Sequence, residues 1–145
     1  MLLIFIHIAY IDIAYILVQC TMFNAIWCEG KHFRTQRIDE KRNTQDCGVI
    51  SSFEGANGKM DDYCGTIQDI YRLDFRRFFV YVLDVKWQMN VVEKGPNATI
   101  KRHASGYVTI DSTKFWQTKK DRLVLPQQCE QVCIFLQMCF MYIYI

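Results

Sequence analysis

The residues in this chain with the most evident chemistry are its seven cysteines, whose thiols can pair as disulfides, bind zinc or act as nucleophiles. Cys129 and Cys133 are spaced i, i+4, but no histidine lies near them and no Cys-x2-Cys motif occurs, which disfavours zinc. A cut after Cys20 would leave six cysteines, an even number that can pair completely. The predicted disulfide partners are Cys28, Cys47, Cys64, Cys129, Cys133 and Cys139.

The other titratable side chains form no recognisable catalytic constellation. His7, His32 and His103 are far apart in sequence, so no pair has metal-ligand spacing. The motifs of serine hydrolases, phosphate-binding loops and zinc proteases do not occur. An enzyme would have to use Asp61, Asp62 or His103, but paired carboxylates at a helix start usually cap the helix. We therefore expect a protein that is not an enzyme, with no metal site and no cofactor.

A polar loop, Ser112–Lys120, is the best candidate for a contact surface, because it contains adjacent aromatic residues among lysines. Rings bordered by cations suit an acidic partner surface, since aromatic residues are enriched in interfaces and complementary charges guide association. The same rings could instead belong to a core built on large aromatic side chains. The predicted binding residues are Lys114, Phe115, Trp116, Lys119 and Lys120. The expected partner is a protein or a small hydrophobic ligand.

Charge is segregated along the chain, with 30 of the 32 charged residues between Glu29 and Arg122. That segment has 17 basic and 13 acidic residues, a net charge of +4, which is too small to indicate nucleic-acid binding. Asn97-Ala98-Thr99 is an N-glycosylation sequon, which a secreted protein would present to the glycosylation machinery. Asn97 is therefore a predicted glycosylation site.

The first 20 residues are apolar and predict either a cleaved signal peptide or a membrane anchor. Asp12 lies at the centre of this stretch, where a carboxylate in lipid would cost about 2.5–3.5 kcal/mol. Cysteine parity favours cleavage, so we expect secretion, with anchoring through Met1–Gln19 as the alternative and a core segment as a third interpretation. Residues 21–145 are then expected to form a single small disulfide-rich domain.

Two periodic patterns indicate the elements that would position these residues. Spacing of three and four residues predicts a helix over Asp61–Arg77. The apolar residues on its stripe are Ile67, Ile70, Tyr71, Phe75 and Phe78. Strict alternation over Leu83–Val91 then predicts a strand with one apolar face. Turn residues at Glu93–Ala98 lead to a second β-rich run, which predicts a long hairpin over Phe79–Asp111.

The predicted fold class is α+β, in which one helix packs on an antiparallel sheet with a long central hairpin and disulfides crosslink the domain. A lipocalin-like β-barrel is the alternative. The predicted function is that of a small secreted, non-enzymatic binding protein that acts through surface contacts. The alternative is a membrane-anchored protein with a soluble extracytoplasmic head.

Overall fold

Strands dominate the computed structural model, which describes residues 17–42, 44–54, 58, 60–88, 99–116, 122–137 and 140–144. The strands are β1 (Leu17–Phe23), β2 (Ala25–Cys28), β3 (Lys31–Arg34), β4 (Gln45–Glu54), β5 (Met60–Phe75), β6 (Phe79–Trp87), β7 (Ile100–Arg102), β8 (Tyr107–Asp111), β9 (Leu123–Val124), β10 (Glu130–Gln137) and β11 (Phe140–Tyr144). One short α-helix, α1, covers Gln36–Asp39, and a 3-10 turn covers Pro126–Gln128.

One large antiparallel sheet contains nine of these strands, in the order β7-β8-β11-β10-β4-β5-β6-β9, with β1 joined through β5. The remaining two strands, β2 and β3, form a separate hairpin. Of the described residues, 68% lie in strands and 7% in helices, so the fold is an open, β-sandwich-like sheet. The predicted α+β class is wrong. The alternative, a lipocalin-like β-barrel, differs because the path of strands runs open from β7 to β9.

The predicted helix over Asp61–Arg77 is wrong because most of that segment is β5, the longest strand of the sheet. Its spacing imitates a helix because β5 contains a bulge. Ile67 pairs with Val85 and Asp69 pairs with Asp84, so Gln68 is an extra residue on β5.

An extra residue changes which side chains share a face of a strand, and this explains the three-residue spacing of Ile67 and Ile70. Ile67 and Ile70 are three residues apart, yet both are fully buried in the same hydrophobic cluster. Without the bulge, residues at an odd spacing would point to opposite faces. A three-residue spacing in a sequence can therefore arise from a bulged strand as well as from a helix.

The predicted hairpin over Phe79–Asp111 is also wrong. β6 pairs with β5 on one edge and, at Leu83 and Asp84, with β9 on the other, and no pairing of β6 with β7 or β8 occurs among the described residues. That run instead folds on itself, with β7 paired to β8. The alternation within β6 is confirmed, since Leu83, Val85 and Trp87 are buried while Asp84 and Lys86 are partly exposed. The predicted turn, Glu93–Ala98, lies outside the described residues.

Two hydrophobic cores share the central strands β4 and β5. The first core contains Ile26, Phe33, Val49, Ile67, Ile70, Leu83, Val85, Trp87, Val124 and Cys129. The second core contains Cys47, Cys64, Val108, Ile110, Val132 and Ile134. Close packing between the strands requires glycine at Gly65, where an added Cβ would lie 2.9 Å from Cε3 of the Trp87 ring and 2.4 Å from Val85 Cγ1.

The predicted disulfides are also absent from the described part of the chain, where no disulfide joins any two of Cys20, Cys28, Cys47, Cys64, Cys129 and Cys133. Cys129 belongs to the first core and Cys47 to the second, whereas Cys133 is exposed. Buried thiols of this kind act as small apolar side chains. An even number of cysteines therefore gives no support for cleavage after Cys20. Cys139 lies outside the described residues.

A buried ion pair attaches the β2–β3 hairpin and α1 to the large sheet. Asp39 is fully buried at the end of α1, and its Oδ1 lies 3.1 Å from Nε of Arg34 on β3. Its Oδ2 accepts a 2.7 Å hydrogen bond from the backbone N–H of Asp46 on β4. Gln36 of α1 accepts a 2.8 Å hydrogen bond from Nε2 of Gln68, the bulge residue of β5. Three strands are thus joined through one four-residue helix.

We predict that Asp39→Ala lowers the free energy of unfolding by about 3–5 kcal/mol, because it leaves the Arg34 guanidinium partly buried without its counter-charge. Arg42→Ala is the matched control, since Arg42 is 3.9 Å from Asp39 and 54% exposed. Its loss is expected to cost about 0.5 kcal/mol or less. Urea unfolding followed by tryptophan fluorescence measures both values. Equal effects of the two substitutions would contradict the structural role of Asp39.

Candidate functional site

The predicted binding loop is exposed, but one of its lysines is paired with an acidic residue of the same chain. Phe115 is 36% exposed and Trp116 is 40% exposed. Lys114 lies 3.6 Å from a carboxylate oxygen of Asp111 in an i, i+3 ion pair. The other two predicted binding residues, Lys119 and Lys120, lie outside the described residues, as does Asn97.

The same loop is held against the end of β6. Phe115 forms an isolated β-bridge with Gln88, and the Trp116 N–H donates a 3.0 Å hydrogen bond to the Trp87 carbonyl. The ammonium group of Lys86 lies 3.8 Å from the centroid of the Phe115 ring, in a cation–π contact. One face of the Phe115 ring is therefore covered by a residue of this chain, and only Trp116 remains as an uncommitted aromatic contact.

A second exposed surface lies where β5 extends beyond β4. β4 pairs with residues 60–66 of β5, whereas β1 pairs with residues 70–75 on the same edge. β6 pairs along the opposite edge. We call the three-stranded unit formed by β1, residues 70–75 of β5 and residues 79–82 of β6 the ribbon.

One face of the ribbon is apolar and incompletely covered. Directly opposed residues of antiparallel strands lie on the same face. Tyr71 is opposite both Met22 and Val82, and Leu73 is opposite both Cys20 and Val80. Phe75 and Phe78 extend the row, with their rings stacked at 4.8 Å. The residues of this ribbon face are Cys20, Met22, Tyr71, Leu73, Phe75, Phe78, Val80 and Val82.

Exposure on the ribbon face rises from β6 toward β1 and toward the turn that joins β5 to β6. Val82 is buried, whereas Met22 is 58% exposed and Phe78 is 39% exposed. The pKa of the Tyr71 phenol is raised, first by desolvation and then by the charges of Asp69 and Asp84. The phenol is thus neutral at physiological pH, and the carboxylates of Asp69 and Asp84 lie near it at the inner end of the face.

The opposite side of the ribbon is different, because its aromatic rings contact one another and the first core. Tyr81 makes edge-to-face contacts with Phe23 at 6.2 Å and with Phe79 at 5.4 Å. The Arg72 guanidinium lies 4.1 Å from the centroid of the Phe79 ring and 2.8 Å from a carboxylate oxygen of Asp74. These contacts hold Arg72 in place, so its guanidinium already has partners within the chain.

Two further arginines border the apolar face at the tip of the ribbon. Arg76 and Arg77 connect β5 to β6, and both are exposed. The backbone N–H of Phe75 donates a 2.8 Å hydrogen bond to the Phe78 carbonyl, which closes the turn beneath them. Among the described residues, neither arginine has an ion-pair partner. We refer to Arg76 and Arg77 as the arginine tip.

The β2–β3 hairpin carries another exposed aromatic residue, Trp27, which is 72% exposed. Its ring stacks on His32 of the paired strand with 4.6 Å between centroids. Ile26 and Phe33, on the other face of the hairpin, are buried in the first core. Among the described residues Trp27 stacks on one aromatic neighbour and has no adjacent cationic pair, which makes it a weaker site than the ribbon.

The buried thiols of Cys47 and Cys129 are poor nucleophiles. Burial, and next the charge of Asp39, raises the pKa of Cys47 to about 12. Burial likewise raises the pKa of Cys129 to about 12, despite an opposing contact with Ser51. A thiol is nucleophilic as its thiolate, so both groups are unreactive near pH 7. In the part of the chain that is described, no three His, Cys, Asp or Glu residues are grouped closely enough to hold a metal ion.

Comparisons with protein-family models, curated proteins and solved structures gave no match to this chain. Neither the structure nor these comparisons supports a signal peptide, secretion or glycosylation of Asn97. No helix within the described ranges has the length and apolar character needed to cross a membrane. β1 crosses the boundary predicted at residue 20, and anchoring through the preceding residues stays a prediction.

Sequence reasoning missed the arginine tip because it placed Arg76 and Arg77 at the end of a helix. A local signal was present in Phe75-Arg-Arg-Phe-Phe79, where paired aromatic residues flank two cations. Such a run is typical of a hairpin connection when the flanking residues are rich in β-forming types. The strand-forming residues Ile, Tyr and Thr before it favour that interpretation.

We predict that Cys47 and Cys129 react with a maleimide at pH 7 only after unfolding, whereas Cys20 and Cys133 react in the native protein. The buried pair is shielded from solvent and has a pKa of about 12 for each thiol, while the other two are exposed. Peptide mass spectrometry after labelling, without reductant, identifies each site. Failure of any of these four to label after unfolding would reveal a disulfide and contradict the structure.

Proposed function

We propose that this chain is a non-enzymatic binding protein that holds an acidic, amphipathic partner segment on the ribbon face. The observation that carries the proposal is an exposed apolar face bordered by two arginines that have no ion-pair partner among the described residues. A contiguous apolar patch with a polar rim is typical of an interaction site in a soluble protein. No charged group need be buried by such a partner, because the arginines lie at the rim.

The ribbon face and the arginine tip offer complementary chemistry to such a partner. Met22, Leu73 and Phe78 offer flexible and aromatic contacts for apolar side chains. Arg76 and Arg77 offer planar donors that bind carboxylates through two parallel hydrogen bonds. A partner that alternates apolar and acidic residues in an extended conformation would satisfy both, since its side chains would alternate between the face and the rim.

The loop at Lys114, Phe115 and Trp116 supports a second candidate surface, because Trp116 remains exposed beside Lys86 and Lys114. It lies at the other end of β6 from the arginine tip. Phe79 and Trp87 are eight residues apart, or about 26 Å along a strand. The two surfaces are therefore separate, and substitutions can test them independently.

We predict that the double substitution Arg76→Glu and Arg77→Glu weakens binding of an acidic amphipathic peptide at least about tenfold, because like charges would then meet at the rim. The probe is a fluorescein-labelled peptide of alternating leucine and glutamate, followed by fluorescence anisotropy. Raising the ionic strength to about 0.5 M should weaken wild-type binding, since the rim charges are exposed to screening.

Lys114→Glu provides the matched control, because it reverses one cation on the other surface. It is expected to change the dissociation constant by less than about twofold. The reversed charge lies far from the arginine tip, and salt screens its effect over that distance. If Lys114→Glu abolishes binding and the double variant does not, the loop is the contact surface. If the wild-type protein shows no affinity for the peptide, the proposed function is wrong.

A further inference from the structure

β1 is an edge strand without the features that protect exposed edges. In the described part of the chain it pairs with β5 alone, so its second edge is open. Its sequence, LVQCTMF, contains no charged residue and no proline. Leu17, Val18 and Met22 are all more than half exposed. Natural proteins usually protect a long apolar edge of this kind with charge, proline or a covering element.

The two ends of the large sheet show that protection. β7 has only three residues, Ile100–Arg102, and two of them are cationic. β9 has only two residues, and Arg122 and Pro126 lie close on either side of it. Short strands with adjacent charge or proline resist pairing with another chain. β1, with seven residues, stands apart from both.

The sequence of β1 is complementary to itself in an antiparallel arrangement. If two copies align with Cys20 opposite Cys20, Gln19 lies opposite Thr21 and Val18 lies opposite Met22. Each pair then matches polar with polar or apolar with apolar, which favours a cross-strand register. Shifting the centre to Thr21 would instead place Gln19 opposite Phe23. The pairing of β1 with β5 is regular from Gln19 to Phe23, so the three central residues of this register, Gln19, Cys20 and Thr21, all lie in regular strand.

We propose that two copies of this chain associate through the open edge of β1 as a symmetric antiparallel dimer, with the two-fold axis at Cys20. A pair of identical residues in an antiparallel ladder can lie on a two-fold axis, which makes the contact closed and self-limiting. The dimer joins two ribbons into one sheet and places the two arginine tips at opposite ends. The inference concerns the edge of β1 and does not depend on the proposed partner.

The test uses the full chain, since cleavage after Cys20 would remove half of β1. Sedimentation velocity measures the dimer dissociation constant of the wild-type protein and of Cys20→Lys and Cys20→Glu. Directly opposed residues lie about 4.5–5.5 Å apart, so either variant places like charges on the axis. Each is expected to weaken the dimer at least about tenfold. An equimolar mixture of the two variants should restore the dimer, because opposite charges then meet.

Cys133→Lys is the matched control, because Cys133 is also exposed but lies on β10. It should dimerise as the wild-type protein does. Circular dichroism checks that each variant keeps its strand content. A bismaleimide crosslinker gives an independent measurement, and should link wild-type copies through Cys20 but leave Cys20→Ser unlinked.

Three results would overturn the proposal. The first is a wild-type protein that stays monomeric at about 100 μM, a concentration at which even weak interfaces are populated. The second is dimerisation of Cys20→Lys as strong as that of the wild type. The third is a mixture of Cys20→Lys and Cys20→Glu in which both variants are folded but do not associate. That result would exclude Cys20 from the axis.

Discussion

The length of β5 is the constraint on which the rest of the structure depends. It has 16 residues, whereas β4, β6 and β1 have 10, 9 and 7, so no single neighbour can cover it. Its first half lies between β4 and β6 and contributes to both cores. Its second half extends past β4 and needs β1 to complete the sheet. The ribbon, its apolar face and the arginine tip all follow from this overhang.

The bulge at Gln68 lies between the two halves of β5. It keeps Ile67 and Ile70 in one core and directs the Gln68 side chain toward Gln36 of α1. The buried pair of Asp39 and Arg34 then holds α1 and the β2–β3 hairpin in place. Buried ion pairs seldom add net stability over apolar packing, but they are costly to break and can fix one arrangement of the elements. Here the arrangement is a hairpin that helps to form the first core, while the ribbon face is left open.

The sequence predicted local strands well and long-range organisation poorly. The alternation in β6 was legible because one face of that strand is buried. The predicted helix was wrong because the bulge in β5 gives Ile67 and Ile70 a three-residue spacing on one face. The predicted disulfides were wrong because an even number of cysteines says nothing about how close their sulfur atoms lie in the fold. Phe115 and Trp116 are exposed as a contact loop requires, but the arginine tip was hidden by the wrong element type.

The most direct test of the strand and its bulge is a set of nuclear Overhauser contacts from isotopically labelled protein. A bulged strand predicts cross-strand backbone contacts on both sides of Gln68, with Ile67 opposite Val85 and Ile70 opposite Leu83. It also predicts contacts between Leu73 and Cys20, which define the ribbon. Sequential amide–amide contacts from residue 61 to residue 77, as in a helix, would contradict the bulged strand and the binding face derived from it.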